Sequence, residues 1–244
     1  MIFELLLFGL LTGFVSGFFG VGGGMLLVPM LLMAGFIMKE AIAISVMQMV
    51  FSSIFGSFLN SKKQSGVFVD GVLIGIGGFL GGLNSGFIVS SLSNETLQYF
   101  FIIILIASIL KIFSTPAVHD RKEKNHSKLL LIFVGIIIGT IAMSIGVGGS
   151  IMLTPILVAF MNYDLKKATT LGLFFVIFSS TAGFISLSYH GHMLYTQGLT
   201  VGIASLIGVY FGIKIKHMIN ITSYKKYVLF LYIGTLFIMI YKTI

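Results

Sequence analysis

Two short stretches of this chain could hold an anion without any charged side chain. They are Gly20-Val21-Gly22-Gly23-Gly24 and Gly146-Val147-Gly148-Gly149-Ser150, followed by Pro29 and Pro155 respectively. Glycine lets a backbone turn sharply and approach a ligand closely. Proline lacks a backbone donor and favours a helix start or a kink. A helix opening at each cluster would aim unpaired N–H groups and a positive dipole end at the space in front of it. That arrangement suits a small anion. Ser150 and Thr154 add hydroxyls in the second copy, and Gln48, Ser52, Ser53, Thr169, Thr170, Ser179 and Ser180 follow on later segments. The candidate substrate-binding set is therefore Gly22, Gly23, Gly24, Pro29, Gln48, Ser52, Ser53, Gly148, Gly149, Ser150, Thr154, Pro155, Ser179 and Ser180.

Each candidate has a plainer alternative. Glycines in membrane helices often serve as packing notches, which suits Gly75, Gly81, Gly202 and Gly208 better than three adjacent small residues before a proline. Membrane serines commonly bond to their own helix backbone, and that alternative stays open for Ser52, Ser53, Ser179 and Ser180. Gln48 is costlier to hide in lipid and has no polar counterpart at Phe175; Asn84 and Ser85 are weaker candidates. His190 and His192 are too few for a metal site and lack a carboxylate nearby, so exposed loop positions are expected. Asp70 and Asp164 are expected to cap helices. Neither a metal nor a cofactor is implied.

The elements that position these residues must lie in a membrane. Of the 244 residues, 57% are hydrophobic and 9% charged, with a mean hydropathy of +1.09. A soluble domain carries about 25% charged residues to solvate its surface. Cysteine is absent, which removes disulfides and thiolate chemistry. The net charge of +8 falls in ones and twos between apolar runs, so no basic face exists to track a nucleic acid. Met1 to Gly13 has no positive residue ahead of its apolar run and is expected to remain as a first membrane segment.

A crossing of the hydrocarbon core takes about 20 apolar residues. Single crossings fit between Lys39–Glu40 and Lys62, Asp70 and Glu95, Glu95 and Lys111, and Lys226 and Lys242. Two fit between Lys167 and Lys214, parted around Ser188 to His192. The intervals from Glu4 to Lys39 and Lys128 to Asp164, with 34 and 35 uncharged residues, are too long for one helix and short for two full crossings. Both hold the glycine clusters and read as broken or re-entrant helical hairpins. The expected fold is an all-α polytopic membrane protein with about 8–10 segments in two five-segment groups.

The groups are copies. At an offset of 126, Gly20-Val21-Gly22-Gly23 meets Gly146-Val147-Gly148-Gly149 and Pro29 meets Pro155. At 127, Phe51-Ser52-Ser53 meets Phe178-Ser179-Ser180, and Gly71, Gly75 and Gly81 meet Gly198, Gly202 and Gly208. The expected organisation is a first repeat over 1–115, a linker over 116–126 and a second repeat over 127–244. If each repeat carries the chain across, 13 of the 15 Lys and Arg residues share one side, with Lys39 and Lys242 on the other. The excess of basic residues in cytoplasmic loops favours this inverted arrangement, with the linker cytoplasmic and both termini outside.

Inverted repeats with broken helices place a substrate near the midplane between repeats. No ionisable residue lies mid-span, so a proton coupled to transport could travel on the substrate. Two other readings stay open: a channel-like facilitator or transporter of another solute, and an intramembrane enzyme, which would need a nucleophile and base at depth. The partners expected are the lipid bilayer and a small anion; a homo-oligomer is compatible with the sequence.

The two Gly-x-Gly-Gly-[Gly/Ser] clusters with their prolines, and the ladders Gly66/Gly71/Gly75/Gly81 and Gly191/Gly198/Gly202/Gly208, resemble the sulfite exporter TauE/SafE family of multipass permeases. The resemblance spans nearly the whole chain. It implies movement of sulfite, organosulfonates such as sulfoacetate, or related sulfur anions across the cytoplasmic membrane. The residues by themselves say only "small anion".

Overall fold

A computed structural model describes residues 2–20, 22–61, 68–114, 127–161, 163, 165–216, 218 and 221–243. The linker 116–126, Val21, Lys62, Lys63, Gly66 and Asp164 lie outside the described residues, as do the side chains of Lys166, Lys167, Thr169, Thr170 and Lys225.

The described chain is helical, with eleven helices and no strand among the described residues. Lipid supplies no hydrogen bonds, so an apolar run must satisfy its backbone internally, and a helix does this within one segment. The helices are α1 (Ile2–Phe19), α2 (Gly24–Met33), α3 (Met38–Ser61), α4 (Phe68–Gly82), α5 (Ser85–Ser91), α6 (Asn94–Ser114), α7 (Lys128–Ser144), α8 (Ser150–Met161), α9 (Leu165–Tyr189), α10 (Tyr195–Lys216) and α11 (Ile221–Thr243). Among the described residues, six stretches are long and apolar enough to cross a membrane: Ile2–Phe19, Met38–Leu59, Val69–Ser91, Asn94–Phe113, Tyr195–Lys216 and Lys226–Thr243. Shorter apolar helices cover Gly24–Met33, Lys128–Ser144 and Phe174–Tyr189.

The interval from Asp70 to Glu95 holds the crossing expected of it, Val69–Ser91, with an interruption that was not expected. Its helix breaks at Leu83-Asn84, and Ser186 of α9 repairs the break. The Ser186 hydroxyl donates to the Leu83 carbonyl at 2.6 Å and accepts the Gly86 N–H at 2.9 Å. A side chain thus replaces backbone bonds that a break at membrane depth would leave open.

The principal pairings are α1 with α10 and α4 with α7, with α3 and α9 packed against each other and against α10 and α4. Glycines let the outer pairs close to backbone contact. A Cβ on Gly13 would overlap the Ser205 carbonyl, and one on Gly77 would overlap the Ile132 carbonyl. The register fixes direction. Gly9, Gly13 and Gly17 meet Val201, Ser205 and Val209 in turn, so α1 and α10 run the same way. Gly77 and Gly81 meet Ile132 and Ile136, so α4 and α7 also run the same way. Gly71 and Gly75 meet Phe174 and Phe178 of α9, while Gly198 and Gly202 meet Met47 and Phe51 of α3. Residues at matching offsets therefore fill matching places.

Candidate functional site

α2 and α8, of 10 and 12 residues, both begin at a glycine cluster. The backbone enters each through left-handed residues: φ is +69° at Gly20 and +70° at Gly146, then +81° at Gly22 and +74° at Gly148. Gly23 is also left-handed, at +79°. Only glycine adopts such angles without strain. Pro29 and Pro155 sit inside α2 and α8, past the helix starts; the glycines, not the prolines, mark where these helices open.

The opening of α2 lies deep. Gly23 is its N-cap, has no side-chain cap, and its carbonyl accepts the N–H of Leu26 and of Leu27 at 3.2 and 3.1 Å. A Cβ on Gly23 would stand 2.8 Å from both Gln48 amide atoms and 2.9 Å from the Thr12 carbonyl oxygen. Gln48 comes ten residues into α3, or about 15 Å at about 1.5 Å per residue. That is half of a hydrocarbon core about 30 Å thick. Gln48 is fully buried, and neither its Nε2 nor its Oε1 has a hydrogen-bond partner. A buried unpaired polar group costs about 1–3 kcal/mol, so this amide is held ready at a stability cost.

The opening of α8 is built on the same plan with different chemistry. Gly149 abuts the ring of Phe175, the residue matching Gln48, and a Cβ there would overlap that ring. The polar groups lie one step on. Ser150 and Thr154 are buried, their hydroxyl oxygens have no partner, and both face Gly172 of α9. The two openings touch: a Cβ on Gly24 would overlap the Gly146 carbonyl oxygen, which accepts the Ser45 hydroxyl at 2.7 Å. Ser45 was not foreseen, although its mate in the second copy is Gly172, a small residue at the same contact.

The remaining candidates divide. Ser52 is fully buried and its hydroxyl lies 3.4 Å from both the Gly22 and Met49 carbonyls, so it reaches the opening. Ser53, Ser179 and Ser180 donate to Val50, Phe175 and Ile177 of their own helices. Asn84 Nδ2 and the Ser85 hydroxyl donate to Leu80 and Gly82 at the α4–α5 break. The structure thus groups Gly22, Gly23, Gly24, Gln48 and Ser52 around one opening and Gly148, Gly149, Ser150 and Thr154 around the other.

One of the two histidines departs from the exposed loop position expected of both. His190 is exposed, with Nδ1 at 2.8 Å from the Ser186 carbonyl. His192 is only half-exposed, its Nε2 lying 2.8 Å from the Ser90 hydroxyl, while Lys39 Nζ donates to the Ser90 carbonyl. Burial, then the positive charge of Lys39 and the neighbouring His190, lowers the His192 pKa. The cluster ties the start of α3 to the end of α5 and the α9–α10 turn. Among the described residues no group of three or more His, Cys, Asp or Glu could hold a metal ion.

These features define a polytopic helical membrane protein with two half-length helices opening in its interior. The sequence profile of the family described as Sulfite exporter TauE/SafE matches residues 5–239, and the chain belongs to that family. It is a membrane transporter of the TauE/SafE type rather than an enzyme. Among its relatives is a probable membrane transporter protein of Methanocaldococcus jannaschii (MJ0441), 29% identical over 195 residues, which covers 75% of this chain and 70% of the relative. The probable membrane transporter protein YunE of Bacillus subtilis is 22% identical over 242 residues, covering 88% of this chain and 87% of YunE. No solved structure matches the chain.

Proposed function

We propose that the chain is a secondary transporter of small sulfur-containing anions, such as sulfite or organosulfonates, with its site near the bilayer midplane at the N-termini of α2 and α8. The observation that carries this reading is the uncapped start of α2 facing the buried, unpartnered Gln48 amide about 15 Å into α3. An anion there would accept the free N–H groups of the first turn, meet the positive dipole end and pair with the amide. Hydrogen bonds to a charged group contribute roughly 1.5–3 kcal/mol each, and the helix dipole up to about 2 kcal/mol in a partly buried geometry. Ser52, Ser150 and Thr154 extend the polar lining, while Pro29 and Pro155 shape the helices behind it.

Chain direction supports two inverted repeats, 1–115 and 127–244. α3 runs with α10, and α4 runs with α9. The described turn after Tyr189 sends α10 back against α9, so α3, which runs with α10, runs against α9, its counterpart in the second repeat. Repeats of one orientation would have α3 and α9 point the same way. The repeats would rock about the shared site, opening it to each side in turn. The distribution of basic residues puts the 116–126 linker in the cytoplasm and both termini outside, in the cell membrane. Reporter fusions after Ser114 and after Thr243 are expected on opposite sides; both on the cytoplasmic side would refute the inversion.

Anion flux into proteoliposomes tests the function, with sulfite, thiosulfate, sulfoacetate and chloride compared. Saturable flux of a sulfur oxyanion supports the reading. Chloride passing as fast as the others identifies a channel, and absence of flux for all of them refutes transport of this substrate class.

A further inference from the structure

The two openings are copies in backbone and opposites in chemistry. Gly23 faces Gln48, whereas Gly149 faces Phe175, whose ring also fills the space beside Gly78 of α4. A pure anion acceptor would need donors only. Gln48 instead offers one of each: an Nε2 that donates and an Oε1 that accepts, both buried and both unpartnered. An anion with only acceptor oxygens would satisfy Nε2 and press against the Oε1 lone pairs. A monoprotonated oxyanion would satisfy both, accepting from Nε2 with one oxygen and donating its O–H to Oε1. We infer that the species this site carries is the hydrogen form of an oxyanion, read by Gln48 as a donor–acceptor pair. The inference rests on the transporter reading and narrows its substrate class.

It also supplies a route for a proton past α2 and α3, where no described acidic, basic or histidine side chain stands mid-helix. The charged groups on α3 and on the helices packed against it stand in first or last turns: Lys39 and Glu40 on α3, Glu4 on α1, Glu95 and Lys111 on α6, Lys128 on α7, Lys166 and Lys167 on α9, and Lys214 and Lys216 on α10. α2 carries none. Tyr99, Tyr189, Tyr195 and Tyr210 on these helices are exposed on the outer surface. The proton therefore enters and leaves on the substrate. Each turnover moves one hydrogen anion, hence one proton and one net negative charge, and no bond to the protein forms or breaks.

The test is flux into proteoliposomes at about pH 6 and pH 8, with sulfite as a probe whose second proton titrates near neutrality. Methanesulfonate, singly charged but without a titrating O–H in this range, is the control. Each unit of pH above an acid's pKa cuts its protonated form about tenfold, so sulfite flux at a fixed subsaturating total concentration should fall roughly that much across the range. Methanesulfonate should move slowly at both pH values. Gln48→Leu should lower sulfite flux at the acid pH by about tenfold or more and remove the pH dependence. Sulfite flux that is equal at both pH values, or methanesulfonate carried as fast as sulfite, overturns the inference and leaves anion transport standing. No flux of either anion overturns the transport reading and the inference with it.

Discussion

Replacing Gly23 or Gly22 with alanine separates backbone strain from loss of the binding group. Both residues are left-handed, at φ +79° and +81°, so both substitutions carry a backbone cost of about 1–2 kcal/mol. Their surroundings differ. A Cβ on Gly22 would meet the flexible sulfur of Met49 at 3.2 Å and a Val176 methyl at 3.3 Å, which can give by a few tenths of an ångström. A Cβ on Gly23 would meet both Gln48 amide atoms at 2.8 Å and the Thr12 carbonyl at 2.9 Å. The carbonyl belongs to α1 and cannot move alone, so the amide must leave. Melting temperatures in detergent should drop for both variants, and further for Gly23→Ala, whose Cβ also crowds a backbone carbonyl. Sulfite affinity should fall further for Gly23→Ala than for Gly22→Ala, by about 1.5–3 kcal/mol for one hydrogen bond to a charged group, or roughly 10- to 150-fold. Equal affinities in the two variants, with Gly23→Ala folded, would refute the claim that Gln48 beside Gly23 holds the anion.

Three further outcomes follow from the same contacts. Ser150→Ala and Thr154→Val each remove a buried hydroxyl without a partner, so each should raise thermal stability, by up to about 1–3 kcal/mol, while lowering sulfite uptake; a drop in stability would mean the hydroxyls are structurally engaged. Gly13→Leu forces a side chain into the Ser205 backbone and should destabilise by at least about 1–3 kcal/mol, whereas Gly234→Ala meets open space in α11 and should gain about 0.5–1 kcal/mol, both read by thermal unfolding. His192 titrates below its ordinary 6.5 because burial and then Lys39 disfavour its charge, so the unfolded chain takes up this proton first as pH falls. Its contribution to stability is present above about pH 6.5 and is lost toward the lower folded value; melting curves should show less acid sensitivity in His192→Asn, and unchanged sensitivity would remove His192 as the cause.

Much of this architecture was legible because membrane constraints are coarse. Charge-free runs had to become helices, and a glycine cluster before a proline had to interrupt them, so α2 and α8 and the turn after Tyr189 were readable in advance. The α4–α5 break was not, because its repair comes from Ser186, some hundred positions away. Gln48 stood out as a lone amide opposite a phenylalanine in the other copy. Ser53, Ser179 and Ser180 did not join it, since a hydroxyl in a helix bonds to its own preceding turn. The burial of His192 beside Ser90 was hidden for the same reason as the break: sequence spacing carries no record of which distant helix end arrives beside a turn.

The central claim is that a sulfur oxyanion binds at the deep opening of α2 through Gln48. Equilibrium binding of radiolabelled sulfite to the purified protein tests it most directly, comparing the native chain with Gln48→Leu at about pH 6, where the hydrogen form is abundant. The account predicts saturable binding to the native protein and an affinity roughly tenfold or more weaker in Gln48→Leu, whose melting temperature should not fall because the lost amide had no partner in the protein. Equal binding by a folded Gln48→Leu protein would contradict it.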